Sequence, residues 1–259
     1  MDSTRKLWIL LGALLVGSFG VLLWTGGQIY QHAPPMPERV LTDAGEEVWT
    51  RADIQRGRQV WQSTGGMQLG SVWGHGSYVA PDWSADFLHR ELIALLDIWA
   101  ARDFGAASYA ALDPEHQAAL ENRLRAQVRR NTYDPATATI TVSADRAAAI
   151  RTVAAHYESL FGDDPATAEL REAYAMRNGT VADPQLRTVL PAFFWWTAWA
   201  AATQRPDSTT TYTNNWPSEP LIGNHPPAST FLWSAFSVTF LLAGIGLLGW
   251  HYAVTHGRG

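Results

Sequence analysis

Cysteine is absent from the 259 residues, and charged residues make up only 17% of them. Without cysteine the chain can hold no disulfide, zinc–thiolate site, iron–sulfur cluster, thiolate nucleophile or Cys-x-x-Cys-His haem attachment. The formal net charge of −5 argues against a nucleic-acid partner. The G-x-S-x-G, Walker and H-E-x-x-H motifs of common catalytic sites are also missing. What is abundant instead is tryptophan, with 13 residues, which together with the low charge indicates a membrane environment.

Charge is missing altogether from two long stretches, one near each end of the chain. Leu7–Trp24 reads LWILLGALLVGSFGVLLW, and Ser229–Val254 reads STFLWSAFSVTFLLAGIGLLGWHYAV. Their lengths are close to, or above, the roughly 20 apolar residues that cross a bilayer as a helix. Aromatic residues lie near their ends, as interfacial side chains do. We therefore predict transmembrane helices at residues 7–30 and 229–254, on either side of a domain at residues 31–228.

The distribution of charge predicts how these helices are oriented. Arg5, Lys6 and Arg258 flank the apolar stretches, whereas every acidic residue except Asp2 lies between them. The positive-inside rule then places both termini in the cytoplasm and the middle domain on the extracytoplasmic side. A cleaved signal peptide is the alternative for the first stretch, since Arg5 and Lys6 would also suit its charged n-region.

The middle domain has a mainly helical pattern. Brief alternation of apolar and polar residues predicts one short strand at Ala138–Val142. Ser84 is the predicted cap of the helix that follows Pro81. The apolar run LPAFFWWTAWAAA has only 13 residues, too few to span a membrane, so we predict a buried or membrane-surface helix. The predicted helices are Arg51–Ser63, Ser84–Phe104, Asp113–Arg130, Ser143–Phe161, Asp164–Asn178 and a last one made by Asp183-Pro184 and Leu186–Thr203.

The histidines are candidate metal ligands, but their spacing does not favour that role. His75 lies between two glycines with no second histidine at ligand spacing, so we predict an exposed side chain. His89-x-Glu91 and His156-x-Glu158 are spaced i and i+2, and such residues do not share a helix face. We predict that both pairs are solvated.

Two longer segments resemble a known family. Gly57–Glu91 reads GRQVWQSTGGMQLGSVWGHGSYVAPDWSADFLHRE, and Thr211–Asn224 reads TYTNNWPSEPLIGN. Both resemble segments of quinol-dependent nitric oxide reductases, and the resemblance covers the whole chain in order: first span, extracytoplasmic domain, second span. It implies a mainly α fold in which two transmembrane helices flank a cytochrome c-like helical domain without haem c.

The resemblance also implies a metal site. Gly57–Trp61 matches the start of the cytochrome c pattern, and Ser63–Trp73 occupies the place of the missing haem motif. Gly74-x-Gly76-x-Tyr78 then matches a motif whose second glycine and tyrosine supply oxygens to a calcium between haem propionates. By position these ligands are Gly76 and Tyr78. The alternative is that the glycines only form a tight turn and Tyr78 packs in the core.

The family's complete enzyme reduces nitric oxide to nitrous oxide and water with electrons from membrane quinol, in the bacterial inner membrane. Its haem b, haem b3 and non-haem iron belong to a haem–copper-oxidase-like helix bundle, which would follow the second span. The resemblance therefore implies that this chain binds no redox cofactor alone, is inactive alone, and needs that bundle as a partner, in the same polypeptide or as a separate subunit. A split subunit, a truncated product and a fragment all fit this expectation.

Two other functions stay open at this point. One is a nitric oxide dismutase-like relative with the same architecture. The other belongs to a different class: a two-span membrane sensor or adaptor with an extracytoplasmic ligand-binding domain.

Overall fold

The computed structural model describes residues 3–256, and in that range it has eight α-helices and six β-strands. Helices account for 64% of the structure, which confirms the mainly α prediction. The helices are α1 (Ser3–Gln31), α2 (Arg51–Ser63), α3 (Trp83–Phe104), α4 (Pro114–Arg129), α5 (Ala144–Phe161), α6 (Ala168–Ala173), α7 (Pro184–Ala202) and α8 (Ala228–His256). The strands are β1 (Arg39–Thr42), β2 (Glu47–Thr50), β3 (Ser71–Val72), β4 (His75–Gly76), β5 (Tyr133–Asp134) and β6 (Thr139–Val142).

The first and last helices, α1 and α8, have 29 residues each. At 1.5 Å per residue each is longer than the roughly 30 Å hydrocarbon core of a bilayer. Their apolar side chains are not buried against the rest of the chain, so they need an apolar surrounding from outside it. The chain is thus a membrane protein with two candidate transmembrane helices flanking one domain. Arg258, which contributed to the orientation prediction, lies outside the described residues.

Helix α7 forms the centre of that domain. Every residue from Leu190 to Ala202 is buried, and α7 packs against α2, α3 and α5. A helix that is packed on all sides must be apolar on all sides. This explains why LPAFFWWTAWAAA is continuously apolar although it is too short to span a membrane. Of the two predicted placements for this helix, the buried one is correct.

A four-stranded sheet, in the order β2-β1-β6-β5, contributes Val40, Ile140 and Val142 to the core. The central pair, β1 and β6, is parallel, with Val40 opposite Ile140. The prediction of a single strand was therefore incomplete, although β6 falls inside the predicted Ala138–Val142. Strands of four residues or fewer give little periodic signal, and the central pair, β1 and β6, joins segments that lie far apart in the sequence.

Capping chemistry sets where the helices begin. At α2, Asp53 Oδ2 accepts a hydrogen bond from the Thr50 backbone at 2.8 Å, and Thr50 Oγ1 accepts one from the Asp53 backbone at 3.2 Å. This capping box begins α2 at Arg51, where the predicted Arg51–Ser63 helix also begins. At α3 the prediction was wrong, because the cap is Asp82 and not Ser84. The predicted Asp164–Asn178 helix is shorter too: a 3-10 turn followed by α6.

A buried ion pair links α3 to α5. Arg146 Nε lies 2.6 Å from Glu91 Oε1, and the two side chains are 4% and 0% exposed. The prediction that Glu91 is solvated was therefore wrong, because the tertiary fold supplies an arginine in the interior. Its neighbour His89 does remain exposed, and His89 Nδ1 lies 2.9 Å from Glu219 Oε2.

His156, on α5, is only partly solvated and gives a pH-dependent prediction. Its Nε2 is buried without a hydrogen-bond partner among residues 3–256. Burial lowers the pKa of His156, the nearby charge of Arg90 lowers it further, and Asp86 opposes the shift. The unfolded chain, with a histidine pKa of about 6.5, therefore takes up the proton first as pH falls. This contribution to stability is complete above about pH 6.5 and is lost as pH falls through the folded-state pKa.

We expect the unfolding temperature of the full chain in detergent to fall between pH 7 and pH 5. In His156→Gln, which cannot take up that proton, the fall should be smaller. The measurement is thermal unfolding by circular dichroism at several pH values. Equal pH dependence in the two proteins would contradict this assignment.

Candidate functional site

The two segments singled out in the sequence meet on one face of the domain. Gly74, in the first segment, faces the Trp216 ring of the second; a Cβ at Gly74 would lie 3.2 Å from Trp216 Cζ2. The contact between His89 and Glu219 joins the same two segments further along. The site is therefore built around residues 65–78, here called the glycine loop, with the second segment, Thr211–Asn224, beside it.

The tip of the glycine loop is a two-residue hairpin turn. Strands β3 and β4 pair antiparallel, and the connecting Trp73 and Gly74 have φ values of 53° and 76°. Positive φ at both central residues is typical of a type I′ turn. Trp73 tolerates this conformation because its surroundings hold it: Nε1 donates to the Thr197 carbonyl at 2.9 Å, and its ring packs on Trp196. The tip is thereby attached to the central helix α7.

A single carboxylate connects this hairpin to helix α3. Asp82 Oδ1 accepts hydrogen bonds from the Ser84 and Ala85 backbones, both at 3.0 Å, and from the Ser84 hydroxyl. Asp82 Oδ2 accepts from the Gly74 backbone at 2.8 Å and from Ser71 Oγ at 2.7 Å. Sequence reasoning missed this residue. Its role as a helix cap was recognisable, because aspartate is common at the start of a helix. Its hydrogen bonds to the hairpin depend on the fold.

Gly76 has a local reason to be glycine. Its φ is 142°, and a Cβ there would lie 2.4 Å from the Gly70 carbonyl oxygen and 3.0 Å from that of Met67. Both neighbours are backbone atoms, which cannot move aside as the end of a long side chain can. Close packing within the loop therefore excludes any side chain at this position.

One alternative expected Tyr78 to pack in the core. The structure shows the opposite. The Tyr78 ring is 90% exposed, and its hydroxyl has no hydrogen-bond partner among the described residues. Met67 and Val79 are each 52% exposed, and the Met67 carbonyl accepts from the Ser77 backbone at 2.6 Å. Met67, Tyr78 and Val79 are thus three exposed apolar side chains in or next to the glycine loop, here called the loop patch. Exposed apolar side chains of this kind are found where another protein docks. His75 is exposed too, as predicted.

This face lies next to the end of the first membrane helix. A surface cavity of about 350 Å³ is lined by Ile29 and His32 of that region together with Trp73, His75 and Trp216. Trp196 Nε1 donates to the Pro35 carbonyl at 3.0 Å, which fixes the chain where it leaves α1. The glycine loop is therefore on the membrane-proximal side of the domain.

A family model for the cytochrome c-like domain of the nitric oxide reductase NorB matches residues 37–218. The match covers more than half of the chain and includes the glycine loop, Asp82 and Trp216. The chain belongs to the NorB family of nitric oxide reductases. The match thereby confirms the predicted relation to nitric oxide reductases, at the level of the NorB family. A comparison with curated proteins gives no match.

In this NorB-type domain, aromatic rings fill the interior behind the glycine loop. Trp83 is fully buried, and its ring stacks on Phe194 with centroids 5.3 Å apart. Phe161 and Tyr157 pack against the same ring. A Cβ at Gly70 would lie 2.5 Å from Trp83 Nε1, so the loop backbone rests directly on the aromatic cluster. Packing of these rings gives the loop a rigid base.

The predicted calcium ligands can be compared with this geometry. No group of three His, Cys, Asp or Glu side chains within residues 3–256 could hold a metal ion. The carbonyl of Gly76 and the free hydroxyl of Tyr78 are hard oxygens of the type that calcium prefers. Because calcium takes six to eight oxygens, these two could form only part of a ligand set. A complete ligand set would therefore need further oxygens beyond these two.

Proposed function

We propose that this chain is the cytochrome c-like part of a quinol-dependent nitric oxide reductase. The observation that carries the proposal is the absence of cysteine from a chain of this family. Haem c is attached through two cysteines, so this domain cannot accept electrons from a soluble cytochrome through such a haem. A donor inside the membrane, quinol, can instead deliver electrons directly to the catalytic centre.

The reaction of the whole enzyme is then 2 NO + QH2 → N2O + H2O + Q. The two electrons and two protons come from the quinol, and one N–O bond of the joined nitrogen oxides is broken to form water. We propose that haem b, haem b3 and non-haem iron for this chemistry belong to a haem–copper-oxidase-like helix bundle. That bundle is the partner, in the same polypeptide or as a separate subunit, and the chain alone is inactive.

The role of this chain is to cover the bundle. The loop patch of Met67, Tyr78 and Val79 supplies an apolar docking surface on the membrane-proximal face. When docked, Gly76 and Tyr78 would present oxygens to a calcium shared with the partner's haem propionates, whose negative charge the ion would balance. Burial of the patch would also exclude water from the covered face.

The proposed topology follows from the charges at the start of α1. Arg5 and Lys6 favour the cytoplasm, which places residues 31–228 on the extracytoplasmic side of a bacterial inner membrane. The transmembrane segments are then residues 7–30 and 229–254, and both termini are cytoplasmic.

The test is nitric oxide consumption by the chain purified together with its haem-containing bundle. We expect a water-soluble quinol to support turnover and a reduced soluble cytochrome c to support none, because only quinol bypasses the missing haem c. The chain purified alone should consume no nitric oxide with either donor, since it holds no redox centre.

Faster turnover with cytochrome c than with quinol would contradict the donor assignment. Formation of N2 and O2 in place of N2O would identify a dismutase. Failure of any haem-containing bundle to copurify would favour the sensor or adaptor class.

A further inference from the structure

Four arginines line one groove of about 740 Å³ on the surface of the domain. They come from the end of α4 and from the segment after α7, and are here called the arginine groove: Arg125, Arg129, Arg130 and Arg205. The one acidic residue in the wall, Asp207, forms no ion pair with them among the described residues. This concentration of positive charge is unusual in a chain whose acidic residues outnumber its basic ones.

The four arginines fall into two classes: among the described residues, Arg129 and Arg205 hydrogen-bond to the domain, whereas the other two do not. Arg129 is half-buried and holds the fold together: its guanidinium donates to the Thr209 carbonyl at 2.9 Å, to Asn215 Oδ1 at 3.2 Å and to Asn224 Oδ1. Arg125 and Arg130 are exposed and make no hydrogen bond or ion pair within residues 3–256. Two guanidinium groups are therefore free to bind an anion.

The positive charges in the groove lie close together, and no carboxylate among the described residues is paired with them. Burial lowers the pKa of Arg129, and the neighbouring charge of Arg125 lowers it further. Among residues 3–256, every hydrogen bond that the Arg129 guanidinium donates goes to a neutral oxygen, so no carboxylate compensates its charge. A bound anion would relieve this repulsion.

The groove lies where both membrane helices meet the domain. Arg205, Pro206, Asp207 and Ser208 line it, and the same four residues line a neighbouring cavity together with Gln31 and His32 at the end of α1. On its other side, a Cβ at Gly223 would lie 3.4 Å from Arg125 Nε, and α8 begins only five residues later. The arginines are therefore close to the level of the lipid headgroups.

We propose that the arginine groove binds the phosphate of an anionic phospholipid headgroup at the membrane surface. Arginine suits this role because its planar guanidinium can donate two parallel hydrogen bonds to phosphate oxygens. The acyl chains of the lipid would remain in the bilayer beside α1 and α8. Such a lipid would hold the domain against the membrane, and this role does not depend on which donor supplies the enzyme's electrons.

The test uses the full chain purified in a non-ionic detergent, with bound lipid counted by native mass spectrometry. Short-chain phosphatidylglycerol is the probe, and phosphatidylcholine and inorganic phosphate are the comparisons. Each surface arginine contributes about fivefold in affinity for an anionic lipid. The double variant Arg125→Gln/Arg130→Gln should therefore bind phosphatidylglycerol about 25-fold more weakly, with its phosphatidylcholine binding unchanged.

The matched control is Arg151→Gln/Arg177→Gln, which removes the same charge from exposed residues outside the groove. It should bind phosphatidylglycerol as the natural chain does. Since neither Arg125 nor Arg130 has a partner among the residues that the structure describes, the test variant should also unfold at the same temperature as the natural chain.

Three results would overturn the proposal. The first is equal affinity of the natural chain for phosphatidylglycerol and phosphatidylcholine. The second is unchanged phosphatidylglycerol binding in the Arg125→Gln/Arg130→Gln variant. The third is displacement of the lipid by inorganic phosphate at equal concentration, which would indicate a site for free anions instead. None of these measurements involves nitric oxide, so the proposed function can fail or succeed independently.

Discussion

Asp82→Ala is expected to lower the free energy of unfolding of the full chain by about 3 kcal/mol. The loss has two parts, because the carboxylate has two sets of partners. Removing the cap of α3 costs about 1 kcal/mol. Leaving the Gly74 backbone and Ser71 hydroxyl without their charged acceptor costs about 2 kcal/mol more, since these groups are part-buried.

The matched control is Asp183→Ala, since Asp183 also caps a helix. Its side chain accepts only from the Gln185 backbone, at 2.9 Å, and has no second set of partners within residues 3–256. We expect a loss of about 1 kcal/mol there. Both variants would be compared by urea unfolding in detergent. Hydrogen exchange of the Gly74 amide adds a local measurement, because only Asp82→Ala should remove its protection.

Equal destabilisation by the two variants would show that Asp82 acts as a helix cap alone. In that case the hairpin tip would have to be held mainly by Trp73, through its contacts with Thr197 and Trp196.

Gly76→Val is expected to destabilise the chain by about 3 kcal/mol or more. A φ of 142° is strained for any residue with a side chain, at a cost of about 1–3 kcal/mol. The added Cβ would also lie 2.4 Å from the Gly70 carbonyl oxygen, so the loop backbone must shift. The whole β3–β4 hairpin should lose its order, and the loop patch beside it should lose its order too.

Gly45→Val separates these two causes. Gly45 also has a positive φ, 84°, but a Cβ there would meet no atom within 4 Å. We expect this control to cost only about 1 kcal/mol, from the backbone conformation alone. The measurement is the same urea unfolding. If both valine variants lower the free energy of unfolding equally, the close approach to Gly70 does not contribute to the loss.

Gly76→Val by itself cannot test the calcium proposal, because it disrupts the fold of the loop. Tyr78→Phe can, since the Tyr78 hydroxyl has no partner among residues 3–256 and its removal should leave chain stability unchanged. In the complex with the bundle, a role in calcium binding predicts a changed haem absorption spectrum and lower activity per folded enzyme. An unchanged spectrum and activity would exclude the hydroxyl as a ligand and leave only the carbonyl of Gly76.

Several properties of this protein were determined by the sequence alone. The two charge-free stretches predicted α1 and α8, because crossing a bilayer requires apolar length whatever the rest of the fold does. The absence of cysteine excluded haem c, because that attachment is covalent. The long motifs around Gly74 and Trp216 were enough by themselves to indicate the family. Helix α2 was predicted to the residue, because its capping box is formed by neighbours in the sequence.

Other properties were decided only by the tertiary structure. The central β1–β6 pairing was missed because Val40 pairs with Ile140, and no local pattern records so distant a partner. The outer strands β2 and β5 pair with near neighbours in the sequence, but they are too short to give a periodic signal. Glu91 was predicted to be solvated because its arginine lies on another helix. The hairpin role of Asp82, the exposure of Tyr78 and the gathering of arginines beside the membrane helices share the same cause. Each depends on which distant segments the folded chain brings together, whereas spans and caps depend on residues that are neighbours along it.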